Sequence, residues 1–194
     1  MTAIIGIVIV VALIIIAIAS IDTSGSYEPE NRRAGRQGER IATNVIKTVL
    51  RDDDLLFTNV EITYDGKPAE LDNVVVNSNG VFIIEVKNYS GLLVGNEDDF
   101  EWMKYKTTDA GNTYEKTVRN PIKQVKRQVY VLAKYLEYYG LHVWIKGYAY
   151  FVQGNSPVRS SSVLTSINDI DRVIHTPGRN HLSKQQVYDI TNLF

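Results

Sequence analysis

Two strongly apolar segments joined by a turn signal constrain this chain more than any other feature of its sequence. Residues 70–76 and 81–87 carry Val, Ile, Leu or Phe at most positions, and Asn79-Gly80 lies between them. Asn-Gly is the strongest short-range signal for a β-hairpin. Strands that are apolar on both faces are typical of the buried centre of a sheet. The sequence therefore predicts a hairpin within a sheet that is covered on both sides.

Apart from Glu70 at its start, three charged residues interrupt this apolar hairpin. Asp72 lies in its first segment, and Glu85 and Lys87 lie near the end of its second segment. Burial of an unpaired charge costs several kcal/mol, so buried charges in proteins are paired or bind metals. We therefore expect these three side chains to interact with one another or with an ion, near the ends of the two strands.

Two hairpin registers are open, and both bring the three charges together. If the loop ends at Gly80, Asp72 faces Lys87, and if it ends at Asn79, Asp72 faces Glu85. Because side chains alternate along a strand, the three share one sheet face in either register. Neighbours there lie about 4.5 to 8 Å apart, and two carboxylates that close repel unless a proton or a cation lies between them. The pattern indicates a divalent metal site beside a lysine, or alternatively an ion pair between Asp72 and Lys87.

The composition and motifs of the chain exclude several classes of protein and of functional site. The chain has 194 residues, no cysteine and a formal net charge of −1. This length allows one domain with an appendage, and this charge gives no overall attraction to polyanions. The absence of cysteine excludes disulfides and thiolate metal sites. No segment matches the nucleophile elbow of serine hydrolases or the phosphate-binding loop of nucleotidases. Any nucleic-acid site must therefore be a local patch.

The N-terminal segment is predicted to cross a membrane. Residues 3–19, AIIGIVIVVALIIIAIA, carry no charge. At about 1.5 Å per residue a helix of this length just spans a hydrocarbon core of about 30 Å. A cleaved signal peptide is the alternative, because residues 17–19 match a cleavage site, but no Lys or Arg precedes the apolar segment. We predict a transmembrane anchor over residues 1–21.

A polar linker separates this anchor from the folded domain. Residues 22–34, DTSGSYEPENRRA, are rich in polar residues, Gly, Ser and Pro, which is typical of a flexible linker. The domain is predicted over residues 35–194. The first basic residues of the chain are Arg32, Arg33 and Arg36, after the apolar segment. The positive-inside rule therefore predicts a single-pass membrane protein with its domain in the cytoplasm.

Periodicity and turn signals divide the domain into alternating helices and strands. The predicted helices are residues 35–50, 121–140 and 183–194. In addition to the hairpin, strands are predicted at residues 55–64, 92–95, 100–106, 143–152 and 162–165.

A set of motif residues extends in order from about residue 35 to about residue 153. The set is Gly35-x-x-Gly38-Glu39, Glu70-Leu71-Asp72, Gly80-Val81-Phe82-Ile83-Ile84-Glu85-Val86-Lys87-Asn88, Gly91, Trp102, Asn120-Pro121 and Gln124. In this order it resembles the nuclease-related domain, a family of the PD-(D/E)xK nuclease superfamily. The resemblance implies an α/β fold with a mixed central β-sheet flanked by helices, like that of restriction endonucleases, here preceded by the predicted transmembrane helix.

The resemblance also implies a metal site in the hairpin. Asp72, Glu85 and Lys87 occupy the Asp and Glu-x-Lys positions of the superfamily. We expect Asp72 and Glu85, with the carbonyl of Val86, to bind Mg²⁺ or Mn²⁺, since Mg²⁺ prefers oxygen ligands. Lys87 would orient the attacking water or stabilise charge in the transition state.

Two further catalytic positions are implied on the predicted helices. Glu39 matches the acidic residue of the first helix, although a glutamate there also suits the helix dipole. Gln124 matches a glutamine of the later helix and could hold a phosphate or the water network, or alternatively be solvated. The chain departs from the pattern at Gln128, where the RecB-like branch often carries tyrosine.

Basic residues on the same helix are candidates for nucleic-acid binding, although a solvated helix face has the same composition. They are Lys123, Lys126 and Arg127. The resemblance as a whole implies a membrane-anchored, divalent-metal-dependent nuclease that hydrolyses phosphodiester bonds, with DNA favoured over RNA as its partner. The alternative is a catalytically silent, membrane-tethered module of the same fold that binds nucleic acid or protein.

Overall fold

A mixed β-sheet with helices on both faces forms the centre of the computed structural model, which describes residues 30–108, 110–178 and 181–194. The helices and strands, in chain order, are α1 (Glu30–Lys47), β1 (Leu55–Tyr64), β2 (Lys67–Asn77), β3 (Gly80–Lys87), β4 (Leu92–Val94), β5 (Glu101–Thr107), β6 (Thr113–Arg119), α2 (Pro121–Tyr138), β7 (Ile145–Phe151), β8 (Val163–Leu164), α3 (Ile167–His175) and α4 (Lys184–Thr191). Five strands form the central sheet in the order β1-β2-β3-β7-β8, and β4, β5 and β6 form a second sheet.

The central sheet is mixed because its two halves are connected differently. Short turns join β1, β2 and β3, which pair antiparallel, whereas β3, β7 and β8 pair parallel. Parallel neighbours need a long crossover connection, and α2 lies in the crossover from β3 to β7. The α/β fold with a mixed central sheet and flanking helices is therefore confirmed.

Apolar side chains of β3 alternate between two core layers. Ile83 packs in one cluster with Leu132 of α2. Ile84 packs in the other with Ile46 of α1. Both strands of the hairpin are thus covered on both faces, as their continuous apolar sequence predicted.

The hairpin has the register whose loop ends at Asn79. Asn77 pairs with Gly80, and the ladder continues to the pair of Asn73 with Ile84. The amide N–H of Asn79 donates to Oδ1 of Asn77 at 2.8 Å, which supports the turn. Of the two registers left open by the sequence, this one directs Asp72 toward β3 beside Glu85.

Strand β6 was not predicted, because its sequence TYEKTVR has almost no apolar side chain to bury. Val118 alone is partly buried, and it pairs with the buried Trp102 of β5. β6 is therefore a strand because it completes the ladder with β5, and not because of its own pattern.

Helix α3 was also absent from the predictions. Its N-terminus carries a capping box in which Ser166 and Asp169 each bond the other's backbone N–H. Ile170 and Ile174 are its two buried residues. A helix of this length offers too few turns for its periodicity to stand out from chance.

Helix α1 begins at Glu30, inside the segment predicted as the linker over residues 22–34. Contacts between residues assign Ala34–Phe194 to one compact unit. No helix among residues 30–108, 110–178 and 181–194 is long and apolar enough to cross a membrane. The predicted anchor, residues 1–21, lies outside the described residues and stays a prediction.

Substitution of Gly38 by Ala is expected to destabilise the domain. Gly38 lies where α1 meets Asn88, just past the end of β3, and a Cβ at Gly38 would overlap Cβ of Asn88. We expect Gly38→Ala to lower the free energy of unfolding by about 1–3 kcal/mol, as overpacking commonly does. Denaturant unfolding of the full chain in detergent measures this change.

Gly35→Ala is the matched control for this prediction. Gly35 is in the same helix, and a Cβ there would meet nothing within 4 Å. We expect it to stabilise the domain by up to about 1 kcal/mol, since Ala favours helix more than Gly does. Equal effects of the two substitutions would contradict the close approach of α1 to Asn88.

Candidate active site

Strand β2 is irregular at Asp72, and this irregularity shapes the site. Its ladder with β3 ends at Asn73. On the other side of β2, Asn59 of β1 lies opposite Asp72 and has a φ of 54°, a left-handed conformation that Asn adopts more readily than most residues. Leu71 and Val74 then pack in the same apolar cluster, although strict alternation would place them on opposite faces. Side-chain alternation therefore breaks at the residue that carries the carboxylate.

The carboxylate of Asp72 lies between β2 and β3. Its Oδ2 accepts a hydrogen bond from the backbone N–H of Val86 at 2.7 Å. Burial, and then the charge of Glu85, raise the pKa of Asp72 from its ordinary value of 3.8 to about 7, although the bond from Val86 and the charge of Lys87 act in the opposite direction. Asp72 therefore holds a proton well above the pH at which an exposed aspartate loses it.

Glu85 is almost fully buried, with 2% of its surface exposed. Its Oε1 accepts from Nζ of Lys87 at 2.6 Å and from Nε2 of Gln124 at 2.5 Å. Its Oε2 accepts from Nε2 of Gln128 at 2.6 Å. Three donors, one of them cationic, therefore compensate the buried charge of Glu85. The buried carboxylate of Asp72 is less well compensated.

Lys87 is the cation of this cluster. Its side chain is 15% exposed. Burial by itself would lower the pKa of Lys87, but the charges of Glu85, Tyr89 and Asp72 and the hydrogen bond to Glu85 together outweigh burial, so the pKa is raised above its ordinary value of 10.5. Lys87 is therefore an ammonium ion that faces the two carboxylates and can stabilise a further negative charge nearby.

Gln128 belongs to the site, although the sequence pointed to it only as a departure from the family pattern. It is 3% exposed, and its Nε2 also donates to the carbonyl of Glu70 at 2.9 Å. Within the described parts of the chain, its buried Oε1 has no hydrogen-bond partner. Its position one helical turn after Gln124 places both amides on the same face of α2. The four-residue spacing of the two glutamines was the sequence signal that could have placed Gln128 in the site.

Glu39 approaches the cluster from α1. One turn later in that helix, Oγ1 of Thr43 donates to Oδ1 of the buried Asn73 at 2.8 Å, which holds α1 against β2. The charge of Glu39 acts on Asp72 and contributes to its raised pKa. The structure thus brings the sequence-predicted Asp72, Glu85, Lys87, Gln124 and Glu39 together, with the backbone of Val86 between them.

Comparison with known protein families agrees with this geometry. The family model described as the nuclease-related domain matches residues 34–152, which include every residue of the cluster. The chain belongs to the nuclease-related domain family. No solved structure matches the chain.

A curated relative of this nuclease-related domain is an uncharacterized protein of Bacillus anthracis. It is 29% identical over 69 residues, which cover 35% of this chain and 32% of the relative. The chain therefore spans about a third of the length of that relative.

The predicted cations of α2 contact groups outside the buried carboxylate cluster. Nζ of Lys123 lies 4.1 Å from the ring centroid of Phe100. Lys126 is exposed and pairs with Glu97 at 3.7 Å, and Nη2 of Arg127 donates to a backbone carbonyl of the β1–β2 hairpin at 2.9 Å. These side chains are near Gln124 in sequence, but none of them bonds to the buried carboxylates.

A second cationic group, which the sequence did not single out, lies on the second sheet of the nuclease-related domain. Lys104 and Lys116 are directly opposed on β5 and β6, an arrangement that destabilises a sheet when both side chains are charged. Burial, and then the charges of Lys106 and Lys116, lower the pKa of Lys104. None of the ion pairs among the described residues includes these three lysines. Lys104 lies 5.6 Å from the ring centroid of Tyr89, two residues after Lys87.

The site of the nuclease-related domain offers two carboxylates that could hold a metal ion. Among residues 30–108, 110–178 and 181–194, no group of three His, Cys, Asp or Glu side chains is arranged to hold a metal ion. Mg²⁺, however, commonly binds through one or two carboxylates and keeps several waters. Asp72 and Glu85 supply two carboxylates, and the raised pKa of Asp72 indicates that a nearby positive charge would be favourable.

Proposed function

We propose that this nuclease-related domain is a divalent-metal-dependent nuclease that hydrolyses phosphodiester bonds in nucleic acid. The observation that carries the proposal is the buried cluster in which Asp72 and Glu85 approach each other beside the ammonium of Lys87. Lys87 pairs with Glu85, so the second carboxylate, Asp72, remains costly without a further cation, and a simple ion pair of Glu85 with Lys87 would not require it. The family match over residues 34–152 supports the same conclusion.

The residues of the cluster would have different roles in hydrolysis. Asp72 and Glu85, with the carbonyl of Val86, would hold Mg²⁺ or Mn²⁺, which when bound acidifies water and offsets charge on the phosphate. Lys87 would donate to a phosphate oxygen that gains charge as water attacks phosphorus and the P–O bond breaks.

Three further side chains would support this chemistry. Gln124 and Gln128 hold Glu85 through hydrogen bonds of 2.5 and 2.6 Å, and would keep its carboxylate oriented during the reaction. Glu39 would accept a hydrogen bond from water near Asp72 or provide an additional ligand.

The two cationic groups support nucleic acid as the partner, and we propose DNA ahead of RNA from the family resemblance. Lys123, Lys126 and Arg127 would contact backbone phosphates from α2, and the three lysines of β5 and β6 would do so from the second sheet. An anion between Lys104 and Lys116 would relieve the repulsion of that opposed pair. A local patch of this kind is needed because the net charge of the chain is −1.

Membrane attachment is part of the proposal. The uncharged segment at residues 3–19 would anchor the protein as a single transmembrane helix. The arginines that follow it favour a cytoplasmic location of the domain, through the positive-inside rule.

A cleavage assay tests the proposed activity. We expect the full chain in detergent to cut labelled DNA or RNA with Mg²⁺ or Mn²⁺, and to lose this activity in EDTA, because the carboxylates alone cannot activate water. Single-stranded and duplex forms of both nucleic acids should be supplied. Asp72→Asn is the matched inactive variant. Cleavage that survives EDTA, or that is equal in the variant, would contradict the proposal.

A catalytically silent binding module is the second candidate function, and one observation favours it. Both oxygens of Glu85 already accept hydrogen bonds, from Lys87, Gln124 and Gln128. A metal would have to displace or share at least one of these donors. Binding of nucleic acid without cleavage under any metal would favour this candidate.

A further inference from the structure

A cavity of about 660 Å³ opens beside the buried cluster of the proposed active site. Its inner wall includes Gln124 and Gln128, the two amides that donate to Glu85. Its rim includes Phe100, Arg119 and Lys123. The cavity therefore connects the surface with the side chains that hold Glu85.

Phe100 is the unusual residue of this rim, because it is a large apolar side chain that is 82% exposed. Its backbone is held firmly, since its carbonyl accepts from the N–H of Asn120 at 3.0 Å. The buried Asn120 also donates through Nδ2 to the carbonyls of Glu97 and Asp99, at 2.8 Å each. A rigid loop thus presents an aromatic ring to solvent, and ordering it on binding would cost little entropy.

Both cationic and acidic side chains lie around the ring of Phe100, and the cationic ones are more numerous. Arg119, Lys123 and Arg127 line the cavity, as do Glu70 and Glu101. The backbone carbonyl of Glu70 accepts a hydrogen bond from Gln128. The three cations that line the cavity outnumber its two carboxylates. Aromatic rings among cations are what single-stranded nucleic acids bind, because bases stack and phosphates pair with Lys and Arg.

We infer that the cavity binds a single-stranded segment of nucleic acid, with one base stacked on Phe100 and the adjoining phosphates against Arg119 and Lys123. This inference rests on the proposed function and specifies its substrate class. The strand would pass from Phe100 along Gln124 toward Glu85. A cavity of about 660 Å³ is in the size range of ligand pockets, roughly 300–1,000 Å³, and has room for an unstacked nucleotide.

The geometry at Phe100 favours stacking over insertion between base pairs. Nζ of Lys123 lies 4.1 Å from the ring centroid and covers one face. A ring inserted between two base pairs contacts a base pair on each of its faces. Stacking on a single strand needs only one, and a lysine on the other face remains available to a phosphate.

Binding measurements on the full chain in detergent test the inference. The probe is a fluorescent oligothymidylate of about 15 nucleotides in EDTA, compared by anisotropy with a blunt duplex of similar length. We expect Phe100→Ala to weaken single-strand binding about 5- to 100-fold, the usual effect of removing a stacking side chain. Phe100→Trp should restore it. Tyr138→Ala, which removes an aromatic ring that is 75% exposed at the other end of α2, should leave it unchanged.

The outcomes separate this inference from the proposed function. Duplex bound as tightly as single strand, or single-strand binding unchanged in Phe100→Ala, would overturn the inference even if the protein cleaves nucleic acid. Selective single-strand binding that depends on Phe100, without cleavage in Mg²⁺ or Mn²⁺, would support the inference and count against the nuclease activity. Phe100 and Tyr138 are both exposed, so a folded protein is expected for each of the three variants.

Discussion

Replacement of Glu85 by Gln is expected to lower the free energy of unfolding by about 3–5 kcal/mol, the usual cost of breaking a buried ion pair. The substitution removes the carboxylate that accepts the hydrogen bond of the Lys87 ammonium, whose side chain is 15% exposed. The new side-chain amide also has one oxygen to accept the bonds that two oxygens now accept from Gln124 and Gln128. Denaturant titration of the full chain in detergent measures the change.

Glu97→Gln is the matched control for this effect. Glu97 also pairs with a lysine, Lys126, but at 3.7 Å and with both side chains well exposed. Exposed pairs contribute about 0–1 kcal/mol, so this control should change stability little. A similarly small effect at Glu85 would show that its hydrogen-bonded cluster does not form.

Asp72→Asn is expected to have the opposite effect on stability and to abolish activity. Asn keeps an oxygen that can accept the N–H of Val86 but removes a carboxylate whose burial is poorly compensated. We expect the unfolding free energy of the metal-free protein to rise by about 1–3 kcal/mol at pH 7. Cleavage with Mg²⁺ should fall by roughly a thousand-fold or more, because a ligand of the proposed metal site is lost.

The stability that the protein gains from Asp72→Asn should increase with pH. The folded protein holds the Asp72 proton up to a pKa of about 7, whereas the ordinary value is 3.8. Between these values the folded state binds more protons than the unfolded state, so the contribution of Asp72 to stability falls as pH rises. Asp72→Asn removes this fall. The variant should therefore be close to the parent in stability near pH 4 and exceed it most at pH 7 and above.

Asp98→Asn, which changes an exposed aspartate, is the control for both readouts and should alter neither. A lower stability of Asp72→Asn at pH 7, with cleavage retained, would leave a structural role for Asp72 and remove the metal-site interpretation. The two substitutions at Asp72 and Glu85 together distinguish a repelling carboxylate from a compensated one.

The sequence by itself determined the centre of the fold and the members of the charged cluster. The hairpin over residues 70–87 was predictable because an Asn-Gly signal and two apolar strands are local patterns. Strands that are buried on both faces are also apolar at most positions, which is visible in the sequence. Helix α2 was predictable for the same reason, since it begins at Pro121 and carries a regular apolar stripe. Asp72, Glu85 and Lys87 stood out because charge is rare in such strands.

Only the tertiary structure decided how the cluster is arranged. The register, the break in alternation at Asp72 and the bond from Val86 depend on contacts across strands, which no local pattern encodes. The same holds for Gln128, whose place in the site depends on how α2 packs over Glu85. Strand β6 forms because β5 offers it a ladder, and the exposure of Phe100 follows from the loop that Asn120 holds. Sequence patterns report which side chains are buried, whereas hydrogen bonds and charge compensation arise between residues far apart in the chain.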